Sequence, residues 1–212
     1  ADGSVYQGWW KDGSRSGRGN YTCSEGWSYE GEWKDDKRNG QGKVHCEDGD
    51  VYEGQWKNDR WDGEGKCIYA DGSVYQGWWK DGSRSGRGNY TCSEGWSYEG
   101  EWKDDRWDGE GKCIYADGSV YQGWWKDGSR SGRGNYTCSK GWSYEGGFKN
   151  DKTNGQGKMI YADGSVYEGR WEDGSRSGWG KYTRSSGWSY EGEFKNDTRN
   201  GQGKKIYADG SV

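Results

Sequence analysis

One spacing constrains this chain more than any other feature. Tyr-x-Gly-x-aromatic recurs every 23 residues, at Tyr6, Tyr29, Tyr52, Tyr75, Tyr98, Tyr121, Tyr144, Tyr167 and Tyr190. Gly-x-Gly follows eleven residues after each tyrosine, from Gly17-Arg18-Gly19 to Gly201-Gln202-Gly203. Nine units and five leading residues account for all 212 positions: 6–28, 29–51, 52–74, 75–97, 98–120, 121–143, 144–166, 167–189 and 190–212. A short strict period makes each unit one supersecondary element that can bury its apolar surface only against its neighbours. The expectation is a single repeat array over 1–212 with no separate domain.

The residues within a unit choose β structure. The chain has 17 Trp, 17 Tyr and 42 Gly, and neither Leu nor Pro. A helical core needs straight-chain aliphatics, and glycine costs a helix about 1 kcal/mol against alanine. In Tyr98-Glu99-Gly100-Glu101-Trp102-Lys103 the alternation places Tyr, Gly and Trp on one face and the charged residues on the other. A polar turn leads to a second strand, Gly109-Glu110-Gly111-Lys112-Cys113-Ile114-Tyr115, and Ala116-Asp117-Gly118-Ser119 supplies an Asp-Gly hairpin signal. Two strands per unit predict an all-β, elongated, single-layer antiparallel meander of about eighteen strands, twisted and groove-like, about 85 Å along the stacking direction.

Bare glycine weakens a strand unless another group fills its space. Here it leaves room for a neighbouring ring to lie flat on the backbone. The predicted core is therefore one aromatic face: Tyr6, Trp10, Tyr29, Trp33, Tyr52, Trp56, Tyr75, Trp79, Tyr98, Trp102, Tyr121, Trp125, Tyr144, Phe148, Tyr167, Trp171, Tyr190 and Phe194. With no helix to cover it, that face reads as an exposed apolar stripe, its rows unbroken from Tyr6 to Tyr207.

The run Tyr-Glu-Gly-Glu-Trp-Lys-Asp-Asp, Asn-Gly-Gln-Gly-Lys and Tyr-Ala-Asp-Gly-Ser-Val-Tyr-Glu-Gly resembles the MORN motif, over the whole chain. The resemblance implies an antiparallel sheet with an aromatic groove, and roles in scaffolding, dimerisation or anchoring in a cytoplasmic or cytoskeletal setting. Three features depart from it. Trp9, Trp78 and Trp124 stand on the normally charged face, six units carry Cys on the aromatic face, and plainer units alternate with richer ones in a 46-residue super-period. Residues 1–36 and 70–105 are identical, as recent duplication or deliberate copying would leave them. The chain also opens and closes in mid-pattern, which reads as a piece of a longer array or a designed one.

The inventory argues against catalysis, cofactor binding and metal binding. The single histidine, His45, falls on the polar face, and repetition places like residues in rows where a catalytic site needs unlike ones converging. The row Glu30, Glu53, Glu99, Glu145, Glu168 and Glu191 lies beside lysines and reads as cross-strand ion pairing. Gly-Ser-Arg-Ser-Gly-Arg-Gly lacks the Gly-Lys-Ser/Thr ending of a phosphate loop and reads as a hairpin turn. A net charge of -4 without basic blocks gives no bias toward nucleic acid, and no apolar run is long enough to span a membrane as a helix.

Cys23, Cys46, Cys67, Cys92, Cys113 and Cys138 take the sixteenth or eighteenth position of their units. Equivalent strands of adjacent units lie about 9.5 Å apart, beyond the roughly 7 Å limit of a disulfide. Buried thiols, bridges between chains, bridges within the chain and metal binding are the readings open to them. Asn20, Asn89, Asn135 and Asn196 fit the N-glycosylation pattern, which with the cysteines makes an extracellular filament the alternative setting. A self-associating scaffold, working through the aromatic and Cys face and through strand edges, is the leading functional expectation. A groove that takes a peptide, a helix or phospholipid comes second, and a designed array without a biological task third.

Overall fold

The computed structural model describes residues 3–212 and is all-β, an antiparallel meander of eighteen strands; among the described residues there is no helix. It divides after Arg106 into two compact units. The first holds β1 (Val5–Lys11), β2 (Ser14–Thr22), β3 (Ser28–Lys34), β4 (Lys37–His45), β5 (Val51–Lys57), β6 (Arg60–Ile68), β7 (Val74–Lys80), β8 (Ser83–Thr91) and β9 (Ser97–Lys103). The second holds β10 (Arg106–Ile114) apart from its first residue, and continues through β11 (Val120–Lys126), β12 (Ser129–Thr137), β13 (Ser143–Lys149), β14 (Lys152–Ile160), β15 (Val166–Glu172), β16 (Ser175–Thr183), β17 (Ser189–Lys195) and β18 (Thr198–Ile206). Within each unit consecutive strands pair antiparallel, β1 with β2, β2 with β3 and onward.

The turns decide the register. The tighter connection joins the short strand of each repeat to the long one and has two central residues with positive φ, such as Asp12 (48°) and Gly13 (81°), or Asp35 (48°) and Asp36 (62°). That is a type I′ geometry, whose twist matches the flanking strands and which Asp, Asn and Gly tolerate. The Asp-Gly of Asp117-Gly118 belongs to a wider loop, closed by Tyr115 N–H on Ser119 O at 2.8 Å and Gly118 N–H on Tyr115 O at 2.9 Å. The second strand also begins earlier than its glycines suggest, at Arg106 and not Gly109. Likewise Gly13-Ser14-Arg15-Ser16-Gly17-Arg18-Gly19 is mostly strand: only its first glycine lies in the turn, and the rest runs through β2.

Each tyrosine of the aromatic face lies flat over a pair of facing glycines. Gly77 faces Gly88 across β7 and β8, and a Cβ on Gly88 would sit 2.5 Å from Tyr75 Cζ and 2.6 Å from Cε2. A bulge follows, between Gly77 and Trp79, and the Tyr75 hydroxyl donates to the bulged carbonyl, Trp78 O, at 2.9 Å. The ring at the fourth position after each tyrosine then stands edge-on between two tyrosines. Trp33 lies 5.1 Å from Tyr29 and 5.4 Å from Tyr6, both nearly perpendicular, and its Nε1–H donates to Gly19 O at 3.1 Å. Edge-to-face contact with a satisfied polar handle is the favourable way to bury such rings.

This packing overturns the expectation of an exposed stripe. Tyr29, Tyr52, Tyr75, Tyr121, Tyr144 and Tyr167 are all 0–1% exposed, and Trp33, Trp56, Trp79, Trp102, Trp125 and Trp171 are each 4% exposed. The layer covers itself because indoles such as Trp33, Trp56, Trp79 and Trp102 stand between the tyrosine of their own repeat and that of the repeat before. Trp10, in β1, is exposed.

A recurring arginine clasp ties several repeats to the next. Arg84 N–H and Nε–H both donate to Asp105 Oδ1 at 3.0 Å, its Nη2 reaches Asp105 O at 3.3 Å, and its guanidinium lies 4.5 Å from the Trp102 ring. Arg15 with Asp36, Arg38 with Asp59, Arg130 with Asp151 and Arg176 with Asp197 repeat the geometry. For Asp36, the Arg15 backbone N–H is the main cause of a carboxyl held below its usual range. At Asp105 and Asp197 partial burial pulls upward, and hydrogen bonds from Arg84 and Arg176 outweigh it, leaving both below that range. A depressed folded-state pKa contributes stability that is complete above the unfolded value of about 3.9 and is lost as pH falls through the folded values. The urea midpoint should therefore hold steady down to about pH 4 and decline below it, and Arg84→Ala, which keeps the backbone N–H but removes the side-chain bonds to Asp105, should flatten part of that decline. An identical acid limb in the variant would show that the clasp does not carry it.

Candidate functional site

On the ring-bearing side, a second row of side chains sits above the buried layer, at the sixteenth and eighteenth positions of each repeat. One place holds a ring and the other something slimmer, and the order alternates. In the first unit these pairs are Tyr21 with Cys23, Cys67 with Tyr69, and Tyr90 with Cys92. The second unit has Cys113 with Tyr115, Tyr136 with Cys138, and Met159 with Tyr161. Successive rings approach across the repeats, Tyr69 to Tyr90 and Tyr115 to Tyr136 both at 6.1 Å. Where the sixteenth residue is Tyr, a Trp from the following loop leans on it, as Trp27 does on Tyr21 at 4.9 Å and Trp96 on Tyr90 at 5.0 Å. These upper rings are half-buried, so the side offers aromatic surface to a partner.

All six cysteines are free thiols, Cys67, Cys113 and Cys138 buried and Cys23, Cys46 and Cys92 half-buried. Burial pushes the Cys67 thiol up to about 12 and Cys113 up to about 11. Both are packing groups in their protonated form, far from a reactive thiolate.

The repeat at 29–51 breaks the row. Its sixteenth and eighteenth residues are Val44 and Cys46, and it alone among the nine repeats has no ring at either place. An open hollow of about 330 Å³ lies there, lined by Val44, Cys46, Trp56, Trp61, Arg38 and Arg60, with Asp59 and Gly82 at its edge. Its apolar wall is well anchored: Trp61 stacks on Tyr52 at 4.4 Å and 9°, and meets Trp79 edge-on at 4.8 Å. Trp61 stands where most repeats place the clasp arginine, so its indole widens the apolar wall. The rim is polar but already paired. Arg38 Nε reaches Asp59 at 3.1 Å and its guanidinium carbon lies 4.3 Å from the Trp56 ring, while Arg60 reaches Asp81 at 3.4 Å. Burial first, and then Asp48 and Asp50, push the Cys46 thiol up, so the floor is uncharged. The rows are thus interrupted where the sequence alone reads them as continuous. The signal was present in Val44 and Cys46, and it was masked because each is an ordinary apolar residue taken singly.

The opposite side carries the remaining candidates. His45 is exposed on it, and Asn20, Asn89, Asn135 and Asn196 are exposed, the last within a tight turn. Lys43 faces Glu53 across β4 and β5 with an ion pair of 3.6 Å. Trp9, Trp78, Trp124 and Trp179 are exposed there too. No cluster of three or more His, Cys, Asp or Glu that could hold a metal occurs among the described residues. Nor is any helix among them long and apolar enough to cross a membrane.

A family model for the MORN repeat matches at 6–28, 29–51, 52–74, 75–97, 98–120, 121–143, 144–166, 167–189 and 190–212. The chain is a MORN-repeat protein. No curated protein matches this MORN array. Among solved structures it is similar to the TCP10 domain of Danio rerio CPAP in complex with a STIL peptide, at 15% identity and a TM-score of 0.41, covering 96% of this chain and 97% of that one. The same domain alone gives 12% identity and a TM-score of 0.47, covering 90% and 87%. The Drosophila melanogaster SAS-4 TCP domain with a proline-rich motif of Ana2 gives 10% and 0.44, covering 73% and 85%. These likenesses are too remote to carry a functional argument. The MORN repeats themselves fit a structural or binding scaffold.

Proposed function

We propose that this MORN array is a non-enzymatic scaffold that holds another polypeptide against its half-buried upper rings, anchoring it by one aromatic side chain in the hollow of the repeat 29–51. The observation that carries the reading is the missing ring. Eight repeats fill the place with Tyr, and the one that does not leaves about 330 Å³ open between Trp56, Trp61 and Val44. A dedicated site in a repeat array is marked by a repeat that departs from the rest, and this one departs where apolar surface is freed. Hollows of this size, with an apolar floor and a few polar rim groups, suit a buried side chain. A phospholipid headgroup is the poorer fit, because Arg38 and Arg60 are engaged by Asp59 and Asp81.

The test uses p-cresol, the side chain of the absent tyrosine, added to the full chain while the indole N–H resonances of Trp56 and Trp61 are followed by NMR. Saturable millimolar shifts are expected in the wild type and should vanish in Val44→Tyr, which restores the ring that other repeats carry. Shifts of equal size in the variant, or none in the wild type, would defeat the proposal.

A second copy of the chain is one source of such a side chain, since Trp179 is 59% exposed. Knob and hollow would then be different patches, a head-to-tail contact that builds open assemblies. Sedimentation at micromolar concentration separates the cases. Concentration-dependent growth abolished by Val44→Tyr supports self-association through the hollow, and a monomer that still binds p-cresol leaves the hollow to a different partner.

A further inference from the structure

Three repeats differ from the rest on the outer side, and two differences travel together. Trp9, Trp78 and Trp124 stand where the other repeats have Glu, Gln, Gly or Arg. In the same three repeats, Asn20, Asn89 and Asn135 occupy a position that is Lys in the other six, and each begins Asn-Tyr-Thr. The repeat at 167–189 is otherwise closely similar, with Gly-Ser-Arg-Ser-Gly retained, and has lost both at once: Arg170 replaces the Trp and Lys181 the Asn.

The register shows why the pair belongs together. Asn89 faces Gln76 across β7 and β8, and Trp78 lies two residues beyond Gln76 on the same outer side. Two residues along a strand span about 6.6 Å, so a sugar attached opposite Gln76 can reach the indole. Trp78 rests on the backbone at Gly86, where a Cβ would meet its own Cβ at 3.3 Å, so the indole has a fixed seat. It nonetheless remains 49% exposed, and Asn89, on the same side, is exposed as well. Asn20 with Trp9, facing Gln7, and Asn135 with Trp124, facing Gln122, reproduce the arrangement.

We infer that Asn20, Asn89 and Asn135 are N-glycosylation sites, and that Trp9, Trp78 and Trp124 are platforms on which the first sugar of each glycan lies. In the modification the side-chain amide nitrogen of Asn attacks C1 of the sugar in a lipid-pyrophosphate-linked oligosaccharide. The C–N bond forms, the C1–O bond breaks, the lipid pyrophosphate leaves with the electron pair, and one amide proton passes to a base. The apolar face of the attached sugar then covers the indole, while its hydroxyls meet Gln76, Glu99 and water. The inference is independent of the hollow, which lies on the opposite side of the sheet.

The experiment is secretion of the full 212-residue chain from cultured human cells behind a signal peptide, with intact mass and peptide mapping before and after peptide N-glycosidase. Glycan at Asn20, Asn89 and Asn135 is expected, and a bare asparagine at any of them overturns the assignment there. Removing the glycans should lower the melting temperature of the wild type by about 2–4 °C. In the triple variant Trp9→Ala, Trp78→Ala, Trp124→Ala the same enzymatic step should change it little, since the enzyme leaves the same aspartates in both proteins. Equal drops in the two would overturn the platform role. Trp78→Phe, which keeps an aromatic plane, should retain part of the effect, and its failure to do so would count against stacking.

Discussion

Gly88→Val is expected to lower the melting temperature by about 6–12 °C. A Cβ there falls inside the Tyr75 phenol, and Tyr75 cannot retreat, because it is fully buried and its hydroxyl holds the bulged carbonyl of Trp78. The facing residue gives no relief either: a Cβ on Gly77 would lie 2.6 Å from Arg87 O. Overpacking of this kind costs about 3 kcal/mol when the neighbour is fixed. One kcal/mol moves the melting temperature of a chain of this size by about 2–4 °C. Glu101→Gln, on the exposed side, should stay within about 0.5 kcal/mol of wild type. A double-mutant cycle gives the sharper test. Tyr75→Ala is itself destabilising, but it removes the ring that the new side chain strikes, so the Gly88→Val penalty should shrink in its presence. Strictly additive losses would mean that Tyr75 does not lie over Gly88.

The second large effect is alkaline unfolding near pH 11. Burial pushes Tyr144 and Tyr167 up to about 12, in Tyr167 against a downward pull from Arg176. It raises Tyr29, Tyr52, Tyr75 and Tyr121 as well. A raised folded-state pKa contributes stability that is fully present below the unfolded value of about 10 and is lost as pH climbs through the folded value. At pH 11 each such tyrosine forfeits about 1.4 kcal/mol. For six buried tyrosines the sum is about 8 kcal/mol, on the scale of a whole domain's stability. Tyrosinate absorbance from the buried row should therefore appear in one cooperative step, together with loss of near-ultraviolet circular dichroism. Smooth titration around pH 10 with the dichroism intact would refute the burial of the tyrosine row.

Much of this was open to reading from residues alone, because a 23-residue repeat leaves little choice. Alternation in Tyr98-Glu99-Gly100-Glu101-Trp102 assigns faces, and glycines facing tyrosines imply rings laid on backbone. What stayed hidden depends on neighbours. The Arg84–Asp105 clasp joins residues 21 apart, and its arginine looks like any surface cation until the bulge turns it over Trp102. Asp35 and Asp36 read as polar loop residues, yet their left-handed conformation is what sets the type I′ turn.

By itself, the sequence determined the class of fold, the strand pairing and which side carries the rings, since all three follow from period and alternation within one repeat. Only the tertiary structure decided that the ring layer is covered, that Val44 and Cys46 open a hollow, and that Trp78 stays half exposed on the side that carries Asn89. The reason is steric. Whether a ring is exposed depends on what the adjacent repeat places against it, and a repeat's own residues do not contain that information.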